Sequence, residues 1–204
     1  MEIKRIPAGV YAANCYIMCD ESTKETAVID PGGDGEDIIK AVKAIEGKVK
    51  YILLTHGHMD HTGAVGMLKE EFSVPVYIHK QDEQLIKNGA YMFGPLKFKG
   101  IEVEFDKNVK ENDIFELGES EIKCIETPGH TPGGVCYLVN DSLFTGDTLF
   151  LRSIGRTDLE GGNFETIIES IKSKLMVLND DIKVYPGHGP QSTIKYEREN
   201  NPFF

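Results

Sequence analysis

Three imidazoles and a carboxylate stand within six residues of one another, as His56, His58, Asp60 and His61. With 6 histidines in 204 residues, a chance H-x-H-x-D-H is expected in about 3 × 10⁻⁴ of such chains. Protonated, these side chains would repel one another, and they have no packing value. Neutral imidazole is a common metal ligand, and a carboxylate completes a nitrogen and oxygen donor set. The plainer reading is a solvated polar loop. Other residues of the same types recur in turns that follow apolar runs. His130 lies in the Gly- and Pro-rich stretch 127–134, Asp147 in 144–148 and His188 in 185–190. Such turns are rigid rather than merely polar. His79 follows Tyr77 and Ile78 and reads as a structural or surface residue.

Something must hold these turns in place. Strand signals, rich in β-branched or aromatic residues and bounded by Gly, Pro, Asn or Asp, recur at 14–19, 26–29, 50–54, 74–78, 122–125, 135–139, 142–145 and 182–185. Three amphipathic helices read between them. Asp34 opens one whose stripe is Ile38, Val42 and Ile45; Asp60 opens a second with Val65, Leu68 and Phe72; Asn163 opens a third running to Leu178. A weak internal echo links the halves. A strand ending at Asp30, a helix and a strand ending at His56 are matched by a strand ending at Asp147, a helix and a strand ending near His188. Open α/β sheets carry their sites at such strand ends.

The length, a hydrophobic fraction of 40% and the lack of a linker or low-complexity tract predict one domain over 1–204. A net charge of −11 disfavours nucleic acid and anionic membranes as partners. No apolar run approaches the ~20 residues of a membrane span, and no signal peptide is visible, so a cytoplasmic protein is expected. Cys15, Cys19, Cys124 and Cys136 lie in apolar runs without ligand spacing and are expected to be reduced and buried.

The set His56, His58, Asp60, His61, His130, Asp147 and His188, in that order, resembles the ligand set of the metallo-β-lactamase superfamily, and the likeness runs from about residue 14 to 188. The resemblance implies an α/β fold, an αββα sandwich of two mixed sheets flanked by helices. It also implies two divalent metal ions, zinc first, with iron or manganese also accommodated by His and Asp donors. By the same resemblance His56, His58 and His130 hold one ion, Asp60, His61 and His188 the other, and Asp147 bridges them. Asp60 and Asp147 are then the catalytic acids, and Asp30 supports the ligands from behind; a turn-capping role for Asp30 is the alternative. In such enzymes a hydroxide bridging the two metals attacks a carbonyl.

Residues 146–150 and 153–158 look like the glyoxalase II and persulfide-dioxygenase branch, and most resemble its short bacterial hydrolases. That likeness implies hydrolysis of small thiolesters such as S-lactoylglutathione. A mononuclear-iron persulfide dioxygenase is the alternative. Lactone or β-lactam hydrolysis, and a non-catalytic metal-binding module, rank below both. Glyoxalase II enzymes add a helical C-terminal domain that binds glutathione, and here only residues 189–204 follow His188, room for a helix over 192–199. Asp158 and Pro190 stand where that family often has tyrosine. Arg156 fills its basic position, to clamp a substrate carboxylate or to pair with Asp158. Tyr91 and Phe93, in the irregular segment 87–98, are candidate substrate contacts, with core packing as the plainer role.

Overall fold

A computed structural model describes residues 1–86 and 105–204 in full, and the backbone of 87–88, 90–93 and 96–99. The strands are β1 (Glu2–Ala8), β2 (Ala13–Cys19), β3 (Glu25–Ile29), β4 (Lys48–Leu53), β5 (Val76–His79), β6 (Ala90–Phe93), β7 (Leu96–Lys99), β8 (Lys107–Val109), β9 (Ile114–Leu117), β10 (Ser120–Glu126), β11 (Val135–Val139), β12 (Ser142–Gly146), β13 (Leu149–Phe150), β14 (Ser153–Ile154), β15 (Lys183–Pro186) and β16 (Ser192–Thr193). The α-helices are α1 (Gly35–Ala44), α2 (Met59–Thr62), α3 (Val65–Phe72), α4 (Glu83–Asn88), α5 (Phe164–Ser170) and α6 (Ile194–Asn200). Among the described residues two six-stranded sheets form, in the orders β1-β2-β3-β4-β5-β8 and β16-β15-β12-β11-β10-β9. Both are mixed: β1, β2 and β3 are antiparallel neighbours, whereas β3, β4 and β5 run parallel, as do β12 and β15.

Strand alternation sorts the side chains into three apolar layers. On β2, Cys15 and Ile17 face outward and join Val28 and Ile52 against Ile38 and Val42 of α1 and Val65 and Leu68 of α3. Its neighbours Tyr16 and Met18 face inward, where they meet Leu117, Tyr137, Phe144 and Tyr185 between the sheets. The outer face of the second sheet buries Cys136, Leu143 and Val184 against Ile167, Ile171 and Leu175, with Ile194 of α6 beside them. This is the expected αββα sandwich. Burial of apolar area at about 25 cal/mol per Å² drives each layer together. All four cysteines are buried free thiols.

Two helix expectations need correction. Asp34 does not cap α1 through its side chain. Its carboxylate accepts from Gly9 N–H at 2.8 Å, and its backbone carbonyl receives the helix's first N–H groups. The helix expected from Asp60 to Phe72 is split into α2 and α3, because the Ala64 N–H is taken by the Pro31 carbonyl at 2.9 Å instead of by its own helix. Asn163 caps α5 as expected, accepting from Thr166 N–H at 2.8 Å, and the chain runs on as a π-helical turn over Ile171–Leu175. The edge strand β1 went unread because most of its side chains are exposed and show no apolar alternation. No helix among the described residues is long and apolar enough to cross a membrane.

The two halves echo one another in space. The unit β3–α1–β4 lies central in one sheet and β12–α5–β15 in the other, so Asp30, His56, Asp147 and His188 all follow the C-terminal ends of their strands. The loop that joins β10 to β11 brings His130 to the same end.

Candidate metal centre

Two clusters of ligand atoms converge at this end. One nitrogen each of His56, His58 and His130 lie within 4.8 Å of one another, as do single atoms of Asp60, His61 and His188. Asp147 stands between the clusters. Its Oδ1 is 3.4 Å from His61 Nε2, and its Oδ2 is 3.6 Å from His130 Nε2 and 3.7 Å from His188 Nε2. The three-imidazole cluster is buried, whereas His188 keeps 31% of its side chain exposed. The site therefore opens on the Asp60 and His188 side.

Hydrogen bonds behind the rings decide which nitrogen faces the centre. His61 Nδ1–H donates to Asp30 Oδ2 at 3.0 Å, and His130 Nδ1–H donates to the Arg156 carbonyl at 2.7 Å. Thr55 Oγ1–H donates to Asp30 Oδ2 at 2.6 Å, so the same hydroxyl accepts from His56 Nδ1–H at 3.0 Å. These bonds select the tautomers that turn the Nε2 lone pairs of His56, His61 and His130 inward. Asp30 thus acts on two rings at once, directly on His61 and through Thr55 on His56. Its Oδ1 also accepts from Thr55 N–H at 2.7 Å. Although Asp30, His56 and His61 could themselves group as ligands, these bonds already occupy the atoms concerned.

The centre is left wanting positive charge. His56 Nε2 and Asp147 Oδ1 are buried with no hydrogen-bond partner among the described residues, an arrangement that costs ~1–3 kcal/mol per group when nothing compensates it. Burial and the neighbouring imidazoles hold His56 well below the ordinary histidine range, and burial with the facing His130 pushes His58 down to about 3. Burial also acts downward on His61, but Asp147, Asp30 and Asp60 outweigh it and hold that ring up at about 10. Burial would raise Asp60; the hydrogen bond from His188 and the surrounding rings overcome it and keep the carboxylate ionised. Inward lone pairs around unpartnered carboxylate oxygen fit a cation and little else.

The clusters form the floor of a cavity of about 420 Å³, walled by Tyr11, Phe150, Ser153, Ile154, Leu159 and Arg156. Arg156 lies on the rim with its guanidinium engaged: Nε and Nη2 each donate to one Asp158 oxygen at 2.7 Å. The bond to Arg156 lowers Asp158 to about 2. Tyr91 and Phe93 lie outside the described side chains. His79 is structural, with Nε2 3.1 Å from Glu126 Oε1 and Nδ1 accepting from Gln81 N–H. Sequence reasoning missed Thr55, Tyr11 and Leu159. Of these only Thr55, adjacent to His56, had a positional hint.

Glycine is required next to His188. A Cβ on Gly187 would lie 2.3 Å from Asp147 Oδ1 and 2.8 Å from His61 Cε1. The His188 turn is also clamped by the first sheet, where Asn14 Nδ2 and the Tyr16 hydroxyl both donate to the Pro186 carbonyl, at 2.9 and 2.7 Å.

A sandwich of two mixed sheets with a His and Asp metal-binding cluster at its strand ends defines the chain as a member of the metallo-β-lactamase superfamily, whose family model matches residues 8–188. Among its relatives, the hydroxyacylglutathione hydrolase GloC of Haemophilus influenzae is 37% identical over 209 residues, covering 100% of this chain and 98% of that protein. Among solved structures, the BLEG-1 B3 metallo-β-lactamase superposes with a TM-score of 0.90 at 35% identity, covering 99% of each chain. ETHE1 from Myxococcus xanthus superposes with a TM-score of 0.83 at 28% identity, covering 99% of this chain and 84% of its own. The protein thus belongs with the metallo-hydrolases.

Proposed function

We propose that the protein is a dinuclear metal-dependent hydrolase of small thiolesters. The observation that carries this reading is the pair of inward-facing donor clusters sharing Asp147, with His56 Nε2 and Asp147 Oδ1 buried and unpartnered. His56, His58 and His130 would hold one ion, Asp60, His61 and His188 the second, and Asp147 both. Zinc is the first choice for such donors, with iron or manganese also suited. Two divalent ions there would supply Lewis acidity toward a carbonyl oxygen and lower the pKa of water toward neutrality.

The chain's own groups supply the remainder. Asp60 borders the cavity with Oδ2 3.3 Å from His188 Nε2, and as an ionised carboxylate it accepts a proton beside the reacting carbonyl. Asp30 and Thr55 keep His56 and His61 in the tautomers the ions need. Phe150, Ile154 and Leu159 offer an apolar wall to the acyl group, and the rim at Arg156 receives the thiol carrier. No protein nucleophile is needed. A small molecule in the cavity is the partner, in a cytoplasmic setting; a charge of −11 suits neither nucleic acid nor an anionic membrane. GloC, by its name, supports a glutathione thiolester as substrate.

Elemental analysis of the purified protein, paired with a thiolester screen, tests the proposal. About two metals per chain and hydrolysis of S-lactoylglutathione are expected. Likeness to ETHE1 favours a second reading, an iron-dependent oxidation of persulfides. One iron per chain, with oxygen uptake on glutathione persulfide and no thiolesterase activity, would establish that reading instead. A β-lactam included in the screen tests the likeness to BLEG-1.

A further inference from the structure

A carboxylate outside the ligand set joins the two turns that carry the three-imidazole cluster. Asp82 ends the 3₁₀ turn Lys80–Asp82 after β5 and is fully buried. Its Oδ2 accepts from Gly57 N–H at 2.9 Å and from Thr131 Oγ1–H at 2.8 Å, and its Oδ1 accepts from Gly133 N–H at 2.6 Å. Gly57 lies between His56 and His58, and Thr131 follows His130. One turn belongs to the first sheet and the other to the second. All three donors are neutral, so burial of this charge is offset only by their hydrogen bonds.

The glycines in both turns fit the same contact. A Cβ on Gly133 would lie 2.7 Å from Asp82 Oδ1 and 2.8 Å from Asp82 N, and a Cβ on Gly57 would lie 2.9 Å from the Asp82 carbonyl oxygen. Both turns therefore lack side chains where they close on Asp82. The sheets do not need this link to hold together. Further from the site they are joined by Val135 N–H to the Thr55 carbonyl at 2.8 Å and by the Tyr137 hydroxyl to the Leu54 carbonyl at 3.0 Å. Asp82 acts beyond those links, on the ligand-bearing tips, where His130 Nε2 already lies 2.9 Å from His58 Nδ1. Sites of this kind tolerate displacements of only about 0.5 Å.

We propose that Asp82 is a positioning residue that sets the separation of His56 and His58 from His130, and with it the affinity of the three-imidazole cluster for its ion. The inference rests on the metal-centre reading above. Its test compares the wild-type holoenzyme with Asp82→Asn and with Gly133→Ala, which crowds the same contact from the other side. Glu197→Gln is the control. Glu197 is an equally buried carboxylate that accepts from Arg152 N–H and Asn201 Nδ2–H, both at 2.8 Å, and from Ser192 Oγ–H, on the C-terminal helix.

Zinc affinities are measured for each equivalent by titration against a chelator of known strength, with elemental analysis of the proteins as purified and circular dichroism to establish folding. Asp82→Asn and Gly133→Ala are expected to weaken one zinc equivalent by about 10- to 100-fold, the usual cost of losing a ligand-orienting partner. The other equivalent should change less than about threefold on the same basis. Glu197→Gln should lower the melting temperature and leave both affinities near wild type. Wild-type affinities in folded Asp82→Asn would overturn the proposal, and so would a loss of affinity in all three variants that merely tracks melting temperature. If Asp82→Asn does not fold, Gly133→Ala decides alone by the same criterion. Wild-type protein that binds no zinc would overturn the metal-centre reading itself, a result distinct from failure of the Asp82 variants.

Discussion

Asp158→Asn removes the partner of the one guanidinium on the wall of the cavity. Both side chains are largely exposed, Arg156 at 51% and Asp158 at 68%, so the pair contributes at most about 1 kcal/mol to stability despite its two 2.7 Å bonds. At this chain length, 1 kcal/mol corresponds to roughly 2–4 °C of melting temperature. The larger effect should be on binding. A free Arg156 fork matches a substrate carboxylate in two-point geometry, and S-lactoylglutathione carries carboxylates on its carrier. Hydrogen bonds to charged groups are worth about 1.5–3 kcal/mol, and discounting for exposure leaves about 1 kcal/mol, or roughly fivefold in KM. Steady-state kinetics on S-lactoylglutathione should show KM falling by that factor with kcat unchanged, because the contact is remote from the reacting carbonyl. An uncharged thiolester of similar size should show no change, and the double variant Arg156→Ala/Asp158→Asn should lose the gain. An equal fall in KM for the uncharged substrate, or a gain that survives in the double variant, would refute the assignment of Arg156 to carrier binding.

Asp147→Ala should lower metal content and reduce hydrolysis to background, since both clusters face this carboxylate; full activity with wild-type metal content would contradict the dinuclear reading. Removal of metal by chelation should lower the melting temperature by roughly 5–10 °C if ligand stands near 100-fold above its Kd, because donors from both sheets are tied together only when the ion is bound. A melting curve unmoved after verified metal removal would count against that coupling. Away from the site, the Asp20 carboxylate accepts from the hydroxyls and backbone N–H groups of Ser22 and Thr23, which hold it far below the ordinary carboxylate range. Its folded pKa thus lies below the unfolded value of about 3.9, so its stabilisation is present above about pH 4 and is lost as pH falls. The urea-midpoint difference between wild type and Asp20→Ala should therefore shrink on acidification; a difference that grows would reverse the sign.

What the sequence determined by itself is what short-range chemistry and periodicity encode. The spacing of His56, His58, Asp60 and His61 carries its meaning within six residues, and the runs at 14–19, 135–139 and 182–185 alternate because a pleated strand does. Turns rich in Gly and Pro marked His130 and His188, because close backbone approach demands residues without bulk. The tertiary structure decided what depends on partners distant along the chain. Which nitrogen each imidazole turns inward follows from Asp30, Thr55 and the Arg156 carbonyl, and the Asp30 bond to His61 spans 31 residues. Asp82 has no local signature at all. It is one acid between a strand and a helix, and its three partners lie 25, 49 and 51 residues away. The choice between a clamping and a paired Arg156 turned on the loop placing Asp158 in its plane. Hydrogen-bond geometry is set to tenths of an ångström by the packing of both sheets, and residue type and spacing alone do not encode distances on that scale.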